Sequence, residues 1–242
     1  MAGILGVILM TALGTYYFCK KKTERKRALL CKVLATAVPG ILMLCCSGKG
    51  SFDGISAAGF AGTLAAVVFY MAADVLLECK FILGAVSFAA GHVCMTAGFL
   101  LSGETVLYVT ENGEYRIDAA LFTWGVIVFA VLTAAACIAL HKYFQPLRKK
   151  KLFWPLAAYI IVLGVMAALA VTAGMRIWAA GADTMDNVFR GTIPAAGGIC
   201  FVISDILLGR NRLGKRRSVV CGALVLVLYY LSVYLFAMRL WL

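Results

Sequence analysis

Apolar residues in this chain do not alternate at the spacing of a strand or of a half-buried helix; they run on. Eight nearly unbroken apolar stretches, at residues 2–19, 28–46, 54–77, 81–101, 119–140, 152–172, 192–208 and 218–240, are separated by short polar or basic segments. At 1.5 Å per residue, such runs are the length a helix needs to cross a hydrocarbon layer of about 30 Å. In lipid the helix is also the form that satisfies every backbone polar group within the segment. The pattern therefore predicts an all-α polytopic membrane protein, one domain over 1–242 with eight transmembrane helices. The seventh run is the shortest and is glycine-rich, a composition that lets helices approach closely. One polar stretch interrupts the series: "SGETVLYVTENGEYRID", 102–118, carries an Asn-Gly turn signal and predicts a small hairpin outside the membrane.

Composition agrees, with 63% hydrophobic and 14% charged residues against about 25% charged in soluble domains. The net charge of +12 raises the question of a nucleic-acid partner. Its distribution answers no, because the bases sit in short clusters between apolar runs, where they set topology. The connections at 20–27, 78–80, 141–151 and 209–217 hold 6, 1, 5 and 5 Lys and Arg, which is 17 of the 23 in the chain. The opposite side holds Lys49, Arg116, Arg176, Arg190 and Arg239, and Lys32 lies inside the second run. That asymmetry places the basic connections in the cytoplasm and both termini on the non-cytoplasmic side. The first run has no basic stretch before it and "KKKTERKR" after it, which suits a first span better than a cleaved signal. The nine cysteines form no C-x-x-C and read as small apolar fillers.

The chemistry lies in the few ionisable residues inside apolar runs. "AADVLLECKF", Ala72–Phe81, and "ISDILLGRNR", Ile203–Arg212, each set one Asp near the end of a run that proceeds toward the basic side. From the run boundaries, Asp74 and Asp205 each lie about 5 Å inside that end, in one layer, with Lys32 at similar depth. His92 falls deeper, about 16 Å in. Tyr229 and Tyr230 reach comparable depth, and Tyr159 lies between the two levels. An acid in hydrocarbon costs about 2.5–3.5 kcal/mol on insertion scales and normally faces a bundle interior or wet cavity. Two acids facing one cavity divide naturally into proton donor and ionised partner, the arrangement of acid–base hydrolysis. The plainer reading pairs each with a base, Asp74 with Lys32 or Lys80 and Asp205 with Arg210, and leaves the histidine and tyrosines as packing. There is no G-x-S-x-G, H-E-x-x-H or P-loop pattern, and two histidines make a histidine-rich metal site a poor fit. No metal and no cofactor is expected. "HKYFQPLRKKK", 141–151, suits an anionic membrane surface or a phosphate headgroup.

These blocks in this order resemble the lysoplasmalogenase, or YhhN-like, family of eight-span membrane proteins, over approximately 25–240. "AADVLLECKFILGAVSFAAGHVCM" is similar to the family's Asp-Leu-Leu segment followed by F-x-x-G-x-x-x-F-x-x-G-H. "GGICFVISDILL" resembles its penultimate span, and "CKVL", Tyr159, Met166 and "LYYLSVYL" resemble further positions. Val33 replaces a proline that commonly follows the lysine, Ala73 a glycine before the first Asp, and Val233 a last-span glutamine. The resemblance implies hydrolysis of the vinyl-ether bond of a lysoplasmalogen, a single-chain lysophospholipid, to a fatty aldehyde and a glycerophospho-base. It implies Asp74 and Asp205 as the catalytic pair, with Lys32, His92, Tyr159, Tyr229 and Tyr230 binding or orienting substrate. Two other classes stay open at this point: a small-solute or proton-coupled transporter, and a non-catalytic lipid-binding protein. The expected location is a bacterial cell membrane, with an internal eukaryotic membrane the other fit.

Overall fold

The computed structural model describes residues 2–47, 56–102, 108–111, 114–180, 185–214 and 217–240. Its helices are α1 (Ala2–Lys20), α2 (Arg25–Ser47), α3 (Ala57–Cys79), α4 (Phe81–Leu101), α5 (Ala119–Lys149), α6 (Phe153–Ala180), α7 (Met185–Leu213) and α8 (Val219–Met238). All eight are long and apolar enough to cross a membrane. Large apolar side chains such as Ile4, Val86, Val131, Ile138 and Val227 cover the outer surface, as lipid contact requires.

Several helices outrun the apolar stretches that announced them. Runs expected at 119–140, 152–172 and 192–208 become α5, α6 and α7, which extend to Lys149, Ala180 and Leu213, with α7 starting at Met185. Loss of hydrophobicity does not end a helix; it only marks where the helix leaves the apolar layer. Basic last turns, Arg148 and Lys149 on α5 and Arg210 and Arg212 on α7, favour continuation because cations complement the C-terminal end of the helix dipole. The basic segment 141–151 is therefore mostly helix rather than connection. Between α3 and α4 the connection shrinks to Lys80, an extended residue (φ −141°, ψ 106°) that ends one helix and begins the next. The expected hairpin is present as β1 (Tyr108–Glu111) and β2 (Glu114–Ile117), antiparallel with Tyr108 opposite Ile117. Its Asn112-Gly113 turn lies outside the described residues, as does Lys49.

Packing orders the helices into a ring. Neighbours run α2–α3–α4–α6–α7–α8 and back to α2, with α1 against α2 and α8, and α5 against α6 and α7. The order has a two-fold logic: α2, α3 and α4 correspond to α6, α7 and α8, so α3 and α7 stand opposite each other across the ring. Inside it, Tyr70, Phe88, Met95, Phe99, Met166, Phe201, Val233 and Phe236 are buried as one core. The α3–α4 hairpin is the tightest pair because glycines remove the side chains between the backbones. A Cβ on Gly62 would lie 2.8 Å from the Gly98 backbone nitrogen.

Candidate active site

The α3–α7 opposition creates a polar vestibule of about 460 Å³, lined among others by Tyr17, Lys32, Asp74, Glu78, Asp205, Arg212 and Tyr229. The basic connections α1–α2 and α7–α8 meet at its mouth, through Lys21, Lys22, Arg217 and Ser218. Both aspartates thus border one space, as two acids at the ends of parallel runs suggested.

Their depths differ, which corrects the expectation of one layer. Because α7 continues to Leu213, Asp205 sits eight residues from its helix end, while Asp74 sits five from Cys79. At 1.5 Å per residue that is about 12 Å against about 7.5 Å. The contacts agree: Asp205 reaches His92, eleven residues into α4, whereas Asp74 reaches Lys32, seven residues into α2.

Asp74 is buried, at 1% exposure, and is held from α2 and α8. Lys32 Nζ lies 3.2 Å from its Oδ1. Thr36 Oγ1 donates to Oδ2 at 2.5 Å and Tyr229 OH to the same oxygen at 3.3 Å. Buried charge is tolerated when it is paired and its lone pairs are satisfied, and these three donors meet both conditions. The plain ion-pair reading is correct for Asp74 in its partner Lys32, not Lys80.

Asp205 is held from α6 and α4, the two-fold counterparts of α2 and α8. Tyr159 OH donates to its Oδ2, and His92 Nε2 stands 3.6 Å from the same oxygen and 3.3 Å from Tyr159 OH. The other imidazole nitrogen, Nδ1, is 3.0 Å from Tyr70 OH. Tyr70 reaches this position because residue 91 is glycine: a Cβ there would collide with the Tyr70 ring. Phe201 closes edge-on against His92 at 4.7 Å, with Phe88 and Tyr70 beside it. These rings pack together around the imidazole in the bundle core.

Asp205 has a second neighbourhood. It also borders an apolar cavity of about 350 Å³ between α4, α5, α6 and α7, lined by residues such as Ile82, Val86, Leu140, Leu156 and Leu163. Leu77, Phe88, Asp205 and Leu208 are common to both spaces. A carboxyl group therefore sits where a polar, basic vestibule meets an apolar slot. Such a junction can exchange a proton with an apolar bond while water stays on the polar side.

The structure brings together Lys32, Asp74 and Tyr229, and separately His92, Tyr159 and Asp205. Tyr230 belongs to neither group. Its hydroxyl donates to the Lys32 carbonyl at 3.5 Å, and it lines the α1–α8 groove, not the vestibule. Ala73 and Val233 are packed in the core and Val33 is half-buried; none of the three lines the vestibule. Sequence reading missed Thr36, Tyr70, Glu78 and Arg212. Glu78 Oε1 accepts from Tyr17 OH at 2.8 Å and lies 3.2 Å from Arg212 Nη2 and 3.8 Å from Lys32 Nζ. Helical spacing carried the signal: Tyr70, Asp74 and Glu78 are four apart, Lys32 and Thr36 likewise, and Asp205 and Arg212 seven apart, each set on one face. Arg239, counted by sequence with the outer side, is buried with its guanidinium 3.7 Å from the Phe99 ring and bonded to Thr63.

Comparison with curated proteins and with solved structures finds no match. The family model described as the YhhN family matches residues 31–240, a stretch that contains both acids and every helix of the ring except the start of α2, and the chain therefore belongs to the YhhN family.

Proposed function

We propose that the protein hydrolyses the vinyl-ether bond of lysoplasmalogens. The observation that carries the reading is the position of Asp205 on the boundary between apolar cavity and basic vestibule, opposite an ion-paired Asp74. A single-chain lipid has the same division. Its alkenyl chain fits the slot between α4, α5 and α6, its glycerophospho part fits the vestibule, and its vinyl-ether carbons fall at the junction. Family membership supports the class of reaction. The fully buried rings of Tyr70 and Phe201, packed against each other and against His92, favour a dead-end site over a transport path.

In this mechanism Asp205 is the acid. It delivers a proton to the vinyl carbon distal to oxygen, and the C=C electron pair forms the new C–H bond. The other carbon becomes an oxocarbenium ion. Asp74, kept anionic by the Lys32 ammonium, places negative charge towards that cation and takes a proton from the attacking water. The hemiacetal so formed collapses: Asp205 takes its hydroxyl proton, the C–O bond to glycerol breaks, and Asp74 gives the proton it took from water to the glycerol oxygen, which returns both acids to their starting states. One water is consumed, and aldehyde and glycerophospho-base result. Tyr159 and His92 orient Asp205, and Tyr229 orients Asp74. With the basic end in the cytoplasm and both termini opposite, the lipid comes from the cytoplasmic leaflet.

The test is direct. Purified protein given a lysoplasmalogen is expected to release fatty aldehyde, and given the matching ester lysophospholipid to release no fatty acid. Release of neither product, or aldehyde formation that survives in Asp205→Asn, rejects the assignment.

A further inference from the structure

The mouth of the vestibule is built as an anion receptor in a way that hydrolysis alone does not require. Among the described residues six cations line the space, Lys21, Lys22, Arg25, Lys32, Arg212 and Arg217, against three carboxylates. The carboxylates are committed. Asp74 is paired with Lys32, Asp205 accepts from Tyr159, and Glu78 gathers Tyr17, Lys32 and Arg212 on one oxygen. Positive charge is left in excess.

Two of the cations, Arg25 and Lys21, are oriented by uncharged partners, and a third, Arg212, keeps donors beyond its ion pair with Glu78. Arg25 Nη2 donates to the backbone carbonyl of Glu78 at 3.1 Å, an acceptor with no net charge. Lys21 Nζ stands over the Phe18 ring at 4.4 Å and the Tyr17 ring at 5.7 Å. Arg212 gives Nη2 to Glu78, and a guanidinium with five N–H donors retains others for a second acceptor. Burial, with Arg212, Lys32 and Lys22 nearby, holds the Lys21 ammonium below its ordinary pKa despite Glu78. The N-terminal end of α8 adds its dipole: Val219 and Gly222 line the same space, above the Ser218 cap.

We infer that Arg25, Arg212 and Lys21 form a phosphate-ester site at the vestibule mouth, which holds the headgroup of a single-chain lipid whose chain passes Asp205 into the apolar cavity. Fork-shaped guanidinium groups from two helices suit the several oxygens of a phosphate. The site takes over the role that sequence offered to the 141–151 segment, which contributes Leu147 to the apolar cavity and no residue to the vestibule lining. The inference deepens the lysoplasmalogen reading and rests on it only for the identity of the lipid.

Binding to the full chain in maltoside micelles tests it with three probes that carry no vinyl ether. These are hexadecylphosphocholine, the uncharged 1-O-hexadecylglycerol, and chainless glycerophosphocholine. Arg212→Gln and Arg25→Gln are each expected to weaken hexadecylphosphocholine by about tenfold, the worth of one charge-assisted contact, and to leave hexadecylglycerol unchanged. Arg212→Lys is expected to recover part of the loss, which a misfolded variant does not do. Lys142→Gln, an exposed base of α5 away from the vestibule, is the control and changes neither probe. Displacement by glycerophosphocholine marks a free phosphate ester as sufficient, and displacement only by the chained probe marks a lipid headgroup. Arginine variants that leave hexadecylphosphocholine unaffected, or weaken both chained probes equally, overturn the site. Absence of aldehyde production beside arginine-dependent binding overturns the reaction and leaves the site standing.

Discussion

The surroundings of Asp74 and Asp205 are one design filled in two ways. Each acid lies on the third helix of a four-helix half. Each is gripped by the helix before it, α2 or α6, and by the last helix of the other half, α8 or α4. Around Asp74 those positions hold an ammonium and two hydroxyls; around Asp205 they hold a phenol and an imidazole. The first set stabilises a fixed negative charge. The second offers groups that pass or share protons, and it opens onto an apolar slot, whereas the apolar α1–α8 groove on the other side is not lined by Asp74. Equivalent places in the fold thus come to differ by partner chemistry and by access to an apolar cavity, and the proposed division into acid and ionised partner follows from those differences.

The sharpest way to break the comparison is to remove each carboxylate's charge. Asp205→Asn removes the proposed proton donor and is expected to lower aldehyde formation by about a thousandfold, within the range of acid–base catalysis. Asp74→Asn retains that donor, and its expected loss is smaller, about a hundredfold. Equal losses, or the reverse order, would exchange the two roles. Stability separates the sites further. Lys32→Met leaves the Asp74 carboxylate buried without its cation, and is expected to cost about 3 kcal/mol in thermal or denaturant unfolding. Adding Asp74→Asn removes the stranded charge and is expected to restore most of that stability but none of the activity. No such rescue is expected on the other side, where Tyr159→Phe removes a neutral donor.

The hydroxyl donors come next. Tyr159→Phe is expected to lower kcat by about tenfold and Tyr229→Phe by about threefold, since Asp74 keeps Lys32 and Thr36 while Asp205 loses its one direct donor among the described contacts. Equal effects in aldehyde assays would mean that both acids depend on hydroxyl orientation to the same degree.

Much of this organisation was legible in the chain because lipid makes hydrophobic runs unambiguous. The eight spans and the hairpin followed from residue pattern alone. Asp74 and Asp205 stood out because an acid in an apolar run has few innocent explanations. Helix ends were less legible, since Arg210 and Arg212 look like a loop by polarity yet continue α7, so Asp205 stands farther from its helix end than the apolar run implied. Glu78 and Arg212 were hidden for the same reason: charges at a membrane boundary read as topology until a fold turns them inward. Tyr230 failed in the opposite sense. Adjacent residues on a helix point about 100° apart, so Tyr229 and Tyr230 were never both able to face Asp74. The two-fold relation was the least visible feature, because it resides in which helices touch and not in matching side chains.

The finest test concerns a residue that touches neither acid. Tyr70 OH lies against His92 Nδ1, while Nε2 faces Asp205 and Tyr159. If the phenol donates to Nδ1, the ring carries its proton on Nε2, directed at the Asp205 side. Without that donor, the other tautomer becomes competitive, and a lone pair faces Asp205 and Tyr159 instead. The Asp74 cluster has no counterpart to this device, because an ammonium has no tautomers. Tyr70→Phe keeps the ring that packs on Gly91 and removes only the hydroxyl. Its expected effect is therefore about fivefold in kcat, the worth of one buried hydrogen bond, with KM and the effect of Asp74→Asn unchanged. A loss that appears in KM, or one matched by loss of stability, would show the hydroxyl to be a packing contact and leave Tyr159 as the sole determinant of the Asp205 side.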